Sequence, residues 1–99
     1  MPRRVLVVAR DLLFRAKLRT VIALAGAEVA VDEAACDLAV VEIGAPEWEA
    51  RVRVLTARGT RVLAFGSHVH ADLLRLARDA GARAVPNSQV EQALSELLV

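Results

Sequence analysis

Residues 37–46 read DLAVVEIGAP, and the interpretation of this stretch decides the fold. From Leu38 to Ile43 every residue is apolar except Glu42, and Val40, Val41 and Ile43 are β-branched. A short unbroken run of this kind predicts a strand buried on both faces, as in a parallel sheet. A carboxylate at the C-terminal end of such a strand is unusual, because burying an unpaired charge is costly. In open parallel α/β sheets, sites are built outside the carboxyl ends of the strands. Glu42 is therefore the first candidate site residue.

On the N-terminal side, residues 3–9 carry a second apolar run, VLVVA, and predict the first strand. Asp11 is placed to cap a helix on which Phe14, Leu18, Val21, Ile22 and Ala25 share one face, with Gly26 as its stop. Residues 28–31 predict a short second strand. Only DEAAC, residues 32–36, then separates it from the run around Glu42. A parallel neighbour normally needs a crossover of a dozen or more residues. Five can form one helical turn or an extended crossing, but no full helix.

On the C-terminal side, Pro46 fits a first helical position, followed by a core stripe of Trp48, Val52 and Leu55. Glu47 with Arg51 and Glu49 with Arg53 form i,i+4 pairs on its wet face. Gly59 ends this helix. Residues 61–65 are the fourth strand and Gly66-Ser67-His68 a loop. Residues 70–80 are a helix with Leu73, Leu76, Ala77 and Ala80 inward, stopped by Gly81. Residues 83–85 are a brief fifth strand. Ser88 with Glu91 reads as a capping box for a last helix packed through Val90, Ala93, Leu94 and Leu97. The alternation of strands and helices predicts an α/β fold with a parallel sheet and helices on both faces.

The chain has 99 residues, 56% hydrophobic and 25% charged, which suits one globular domain over residues 1–99. Thirteen basic against twelve acidic residues give a net charge of +1, which argues against a general nucleic-acid or membrane-surface binder. The single cysteine, Cys36, permits no internal disulfide and fits a reducing cytoplasm. It is expected to be a small buried residue rather than a reactive thiolate. Arg3-Arg4 precedes an apolar run too short for a signal-peptide core, and no run approaches the length of a membrane span.

With these elements in place, the chain resembles the receiver domain of bacterial two-component response regulators, the CheY-like group. The resemblance runs over nearly the whole chain. Residues 5–9 look like that family's first strand. DLAVVEIGAP resembles the strand bearing the phosphoacceptor, including a proline four residues beyond it. RVLAFGSHVHADLLRLARDAGA, residues 61–82, aligns without a gap to the family's fourth strand and fourth helix. The resemblance implies a flavodoxin-like three-layer sandwich: a five-stranded parallel sheet of order 2-1-3-4-5, here with the second crossover helix missing or reduced.

The family's active-site pattern departs at almost every position. The two Mg-binding acids fall on Ala9 and Arg10; Asp11 lies one position late. The phosphoacceptor falls on Glu42. The Ser/Thr after the fourth strand falls on Gly66, with Ser67 one later, and the Lys after the fifth strand falls near Asn87 or Ser88. Mg²⁺ needs hard oxygen ligands, and without metal and Lys nothing offsets the charge of a transferred phosphoryl group. The resemblance therefore implies a degenerate receiver: no catalytic residues, no cofactor, no metal, and action through contacts with a protein partner, possibly a second copy of itself. No nucleic-acid or membrane partner is expected.

Glu42 either mimics a permanently phosphorylated Asp or is a structural carboxylate, and the expected structural form is an ion pair with Arg10 across adjacent strand ends. His68 and His70, at i,i+2 with no cysteine, are loop residues rather than metal ligands. Gly66-Ser67 and Asn87-Ser88 could hold a small anion at main-chain N–H groups, although no Gly-rich phosphate motif is present. Ser67, His68 and Asp11 make a nucleophile set only by chance, since no GxSxG elbow exists. The rival class is a small flavodoxin-like ligand-binding protein or enzyme using the strand-end crevice. The missing second helix is further expected to leave sheet surface open near the first two strands, unless the small residues of DEAAC repack over it.

Overall fold

The computed structural model describes residues 3–99. Five strands form one parallel sheet in the order β2-β1-β3-β4-β5: β1 (Arg4–Val8), β2 (Glu28–Val29), β3 (Leu38–Glu42), β4 (Arg61–Gly66) and β5 (Arg83–Pro86). Helices α1 (Leu12–Leu24) and α4 (Val90–Leu97) cover one face of the sheet. Helices α2 (Trp48–Ala57) and α3 (Ala71–Asp79) cover the other.

Strand periodicity sorts the core into these two layers. Val5, Leu38, Val40, Leu63, Phe65 and Val85 face α1 and α4, meeting Leu18, Ile22, Val90, Ala93 and Leu94. Leu6, Val8, Ala39, Val41, Val62 and Ala64 face α2 and α3, meeting Val52, Leu55, Leu74 and Ala77. Val40 and Val41 are both fully buried, which is why β3 is apolar without alternation. Phe14 of α1 lies against Phe65, ring centroids 5.2 Å apart, and fixes the start of α1 over the end of β4.

The second crossover is reduced to a single 3-10 turn, Glu33–Ala35, capped by the Asp32 carboxylate on the Ala34 N–H at 3.0 Å. Strand β2 is shorter than its apolar pattern suggests, pairing only Arg4 with Glu28 and Val5 with Val29. The turn is held by a contact the sequence reading placed elsewhere. Arg51 pairs with Glu33, 3.0 Å away, and not with Glu47. Glu47 is withdrawn because it occupies the left-handed region, φ 57°, at the entrance of α2. The expected Glu49–Arg53 pair is present at 3.1 Å.

Local repacking closes most of the face left by the short crossover. Leu6 and Val8 are buried, in a layer shared with Ala30, Ala45 and Val52, while Val29, Val31, Ala34 and Ala35 stay exposed. Three smaller expectations need correction. Leu74 is the buried leucine of α3, with Leu73 and Leu76 at its half-buried margins. Ala25 is exposed. The Ser88–Glu91 capping box does not form, because a 3-10 turn over Asn87–Gln89 carries the chain into α4 and no side chain caps it.

Candidate functional site

The carboxyl ends of β1, β3, β4 and β5 gather the sequence-predicted residues at one end of the sheet. Glu42, the last residue of β3, sits opposite Phe65 of β4, and Ile43 donates its N–H to the Phe65 carbonyl at 2.8 Å. Its half-buried carboxylate turns toward the exit of β1. There Oε1 accepts the main-chain N–H of Arg10 at 2.6 Å and of Asp11 at 3.1 Å.

This corrects the expected Arg10–Glu42 ion pair. The two residues are in contact, but through the Arg10 backbone; no ion pair joins their side chains. Backbone donors at a strand exit are fixed in direction by the fold, whereas holding a guanidinium on the same oxygen would order a long side chain.

Asp11 is the helix cap the sequence predicts, its Oδ1 accepting from Leu13 at 2.9 Å and Phe14 at 3.2 Å. Its carboxylate is thereby turned to α1. Ala9 follows β1, half-buried against the α1 and α4 layer. Gly66 ends β4 in tight quarters: a Cβ there would lie 3.1 Å from Ile43 Cβ and 3.3 Å from Ile43 Cδ1. The glycine is thus explained by the close approach of Ile43.

Ser67 belongs to the loop itself, its Oγ accepting the Val69 N–H at 3.4 Å and its carbonyl the His70 N–H at 3.0 Å. His68 and His70 are exposed. Asn87 begins the 3-10 turn after β5, half-buried, and Ser88 is exposed beside it. Among the described residues no group of three or more His, Cys, Asp or Glu side chains converges as metal ligands would. The one lysine, Lys17, lies over the Phe14 ring of α1, 5.6 Å from its centroid.

Of two concavities, one bears on the site. The larger, about 730 Å³, lies at the opposite end of the sheet between Arg3, Arg4, Arg61, Cys36 and Leu97, away from every candidate residue. A smaller groove of about 220 Å³ adjoins the strand ends and is lined by Leu6, Val8, Pro46, Arg10, Arg15 and Arg51 among others. Sequence reasoning singled out Arg10 here but not Arg15 or Arg51, which arrive from separate helices.

The fold matches solved structures. A protein from Chloroflexus aurantiacus named as a candidate response regulator superposes with a TM-score of 0.81 at 16% identity, over 99% of this chain and 95% of that one. A response regulator from Thermotoga maritima gives a TM-score of 0.75 at 19% identity, over 99% and 95%. The CheY-like protein tadZ from Pseudomonas aeruginosa gives 0.74 at 19% identity, over 98% and 99%. The fold is that of a receiver domain. No protein-family model and no curated protein matches the sequence. Glu42 stands at the end of the central strand and Arg10 just past the end of the first. No helix among the described residues is long and apolar enough to cross a membrane.

Proposed function

We propose that the chain is a phosphorylation-independent, receiver-like regulatory module that acts through contact with a protein partner. The observation that carries this reading is the engagement of Glu42. One oxygen of the carboxylate at the phosphoacceptor position, Oε1, accepts from two main-chain donors, Arg10 and Asp11. In a receiver that accepts phosphate, the neighbouring acids hold Mg²⁺ and a lysine balances the added charge. Here Ala9 and Arg10 replace the acids, and Lys17 is engaged with Phe14. With no carboxylate pair to hold a metal and no lysine beside Glu42, the groups that would offset the charge of a transferred phosphoryl are not supplied there.

The domain would then signal by its surface alone, in one fixed state, and any output would come from another chain. The test is mass spectrometry of the protein after incubation with acetyl phosphate and Mg²⁺. The expected mass is unchanged. A stoichiometric phosphoryl adduct on Glu42 or Asp11 would overturn the reading. Light scattering coupled to size exclusion distinguishes a second copy from a foreign partner.

A further inference from the structure

We propose that the groove beside β1, where the reduced crossover leaves the sheet edge open, binds a multiply charged oxyanion, the phosphate or pyrophosphate group of a small molecule. Strand β2 stops pairing after Val29, and its last bond to β1 is from the Ala30 N–H to the Val5 carbonyl at 2.8 Å. The Arg3 and Val5 carbonyls both face β2. Ladder alternation therefore aims the Val7 N–H at the same side, where no strand follows. The groove over this edge has an apolar floor of Leu6, Val8, Ala45 and Pro46, with Arg10, Arg15 and Arg51 around it.

Three arginines from three separate segments converge there: the exit of β1, α1 and α2. The nearby carboxylates keep their charge but turn oxygens to other partners, and only Arg51 has one in ion-pair contact. Asp11 caps α1, Glu42 holds the Arg10 and Asp11 N–H groups, and Glu33 is shared with Arg51. Among the described residues, Arg10 and Arg15 have no carboxylate in ion-pair contact, and Arg15 is half-buried. Guanidinium forks match phosphate oxygens in bidentate geometry.

The groove also adjoins the point between β1 and β3 where the strand order reverses, the usual ligand position in such sheets. Its volume of about 220 Å³ lies below the range of roughly 300–1,000 Å³ for whole small-molecule pockets, so it suits a charged group rather than an entire cofactor. Glu42 does not line the groove, and pyrophosphate binding there is read separately from phosphoryl transfer to Glu42.

Titration of the full chain with inorganic pyrophosphate, followed by ¹H–¹⁵N NMR including the arginine Nε resonances, tests the site. Saturable shifts are expected at Val7 to Arg10, Arg15 and Arg51. Binding should weaken roughly tenfold in Arg15→Gln and in Arg10→Gln, and stay unchanged in Arg75→Gln on the exposed face of α3. All three replacements lie outside the core, and native amide dispersion in the same spectra reports folding. Absence of saturable binding at millimolar pyrophosphate, equal weakening in all three variants, or shifts centred on Arg3, Arg4 and Arg61 would each overturn the proposal.

Discussion

Glu42 Oε1 lies 2.6 Å from the main-chain nitrogen of Arg10, so the carboxylate that ends β3 closes the exit of β1 through backbone and not through charge pairing. Hydrogen bonds to a charged acceptor contribute about 1.5–3 kcal/mol at best. Both donors here lie at the surface, where water can replace the lost acceptor, so the lower end applies. Glu42→Leu should destabilise by about 1–2 kcal/mol and Glu42→Gln by less, since the amide oxygen still accepts. Arg10→Gln should stay within about 0.5 kcal/mol of the parent. Urea denaturation reads all three. If Arg10→Gln cost as much as Glu42→Leu, an ion pair would have to be restored to the account.

Gly66 packs closely against Ile43 at the end of β4. A Cβ there would meet Ile43 at 3.1 Å, tighter than ordinary van der Waals contact. Gly66→Ser should destabilise by about 1–3 kcal/mol, because the packed strand end must shift to admit it. Ser67→Ala, which removes only a 3.4 Å loop contact, should cost under about 1 kcal/mol. Thermal melting of the two variants compares them directly, and a neutral Gly66→Ser would show that the Ile43 side moves freely.

The Arg51–Glu33 pair anchors the single turn that replaces the second helix. Both side chains remain about a third exposed, 37% and 31%, so the pair contributes little to global stability, under about 1 kcal/mol. Its effect should be local. Arg51→Met is expected to leave the melting temperature nearly unchanged while raising amide hydrogen exchange at Ala34 and Ala35. Exchange there that does not change would mean the turn is held by the Asp32 cap alone.

Much of this architecture was legible in the sequence because it rests on local signals. The apolar runs of β1 and β3, the Asp11 cap and the five-residue spacing before β3 are all readable from neighbours along the chain. What escaped depends on contacts between distant residues. The partner of Glu42 is a pair of main-chain N–H groups, which leave no mark in side-chain identity. Helical spacing pairs Arg51 with Glu47, yet it bonds to Glu33, which the reduced crossover brings within reach. In α3 the inward Ala77 and Ala80 are legible, but LLRL offers three leucines and only packing against β4 and β5 selects Leu74. The arginines of the groove come from separate elements, so no motif joins them.

Cys36 closes the short crossover, and its surroundings predict an unreactive thiol. Burial pushes its pKa up, and the Glu33 and Asp37 carboxylates push in the same direction; its own main-chain N–H and the Arg58 charge oppose them without prevailing. The Sγ also donates to the Glu33 carbonyl at 3.1 Å, an interaction open only to the protonated form. Because the thiolate is the nucleophile, a raised pKa means fewer reactive molecules at neutral pH. Iodoacetamide at pH 7 should therefore modify native Cys36 more slowly than glutathione, and urea should abolish the difference. Glu33→Gln removes one negative charge and should accelerate the native reaction modestly. The pH profile of the native rate should rise at higher pH than that of the urea-unfolded chain. Native alkylation at neutral pH that is faster than glutathione would sink this assignment, and with it the picture of Cys36 as a packing residue of the α2 and α3 layer.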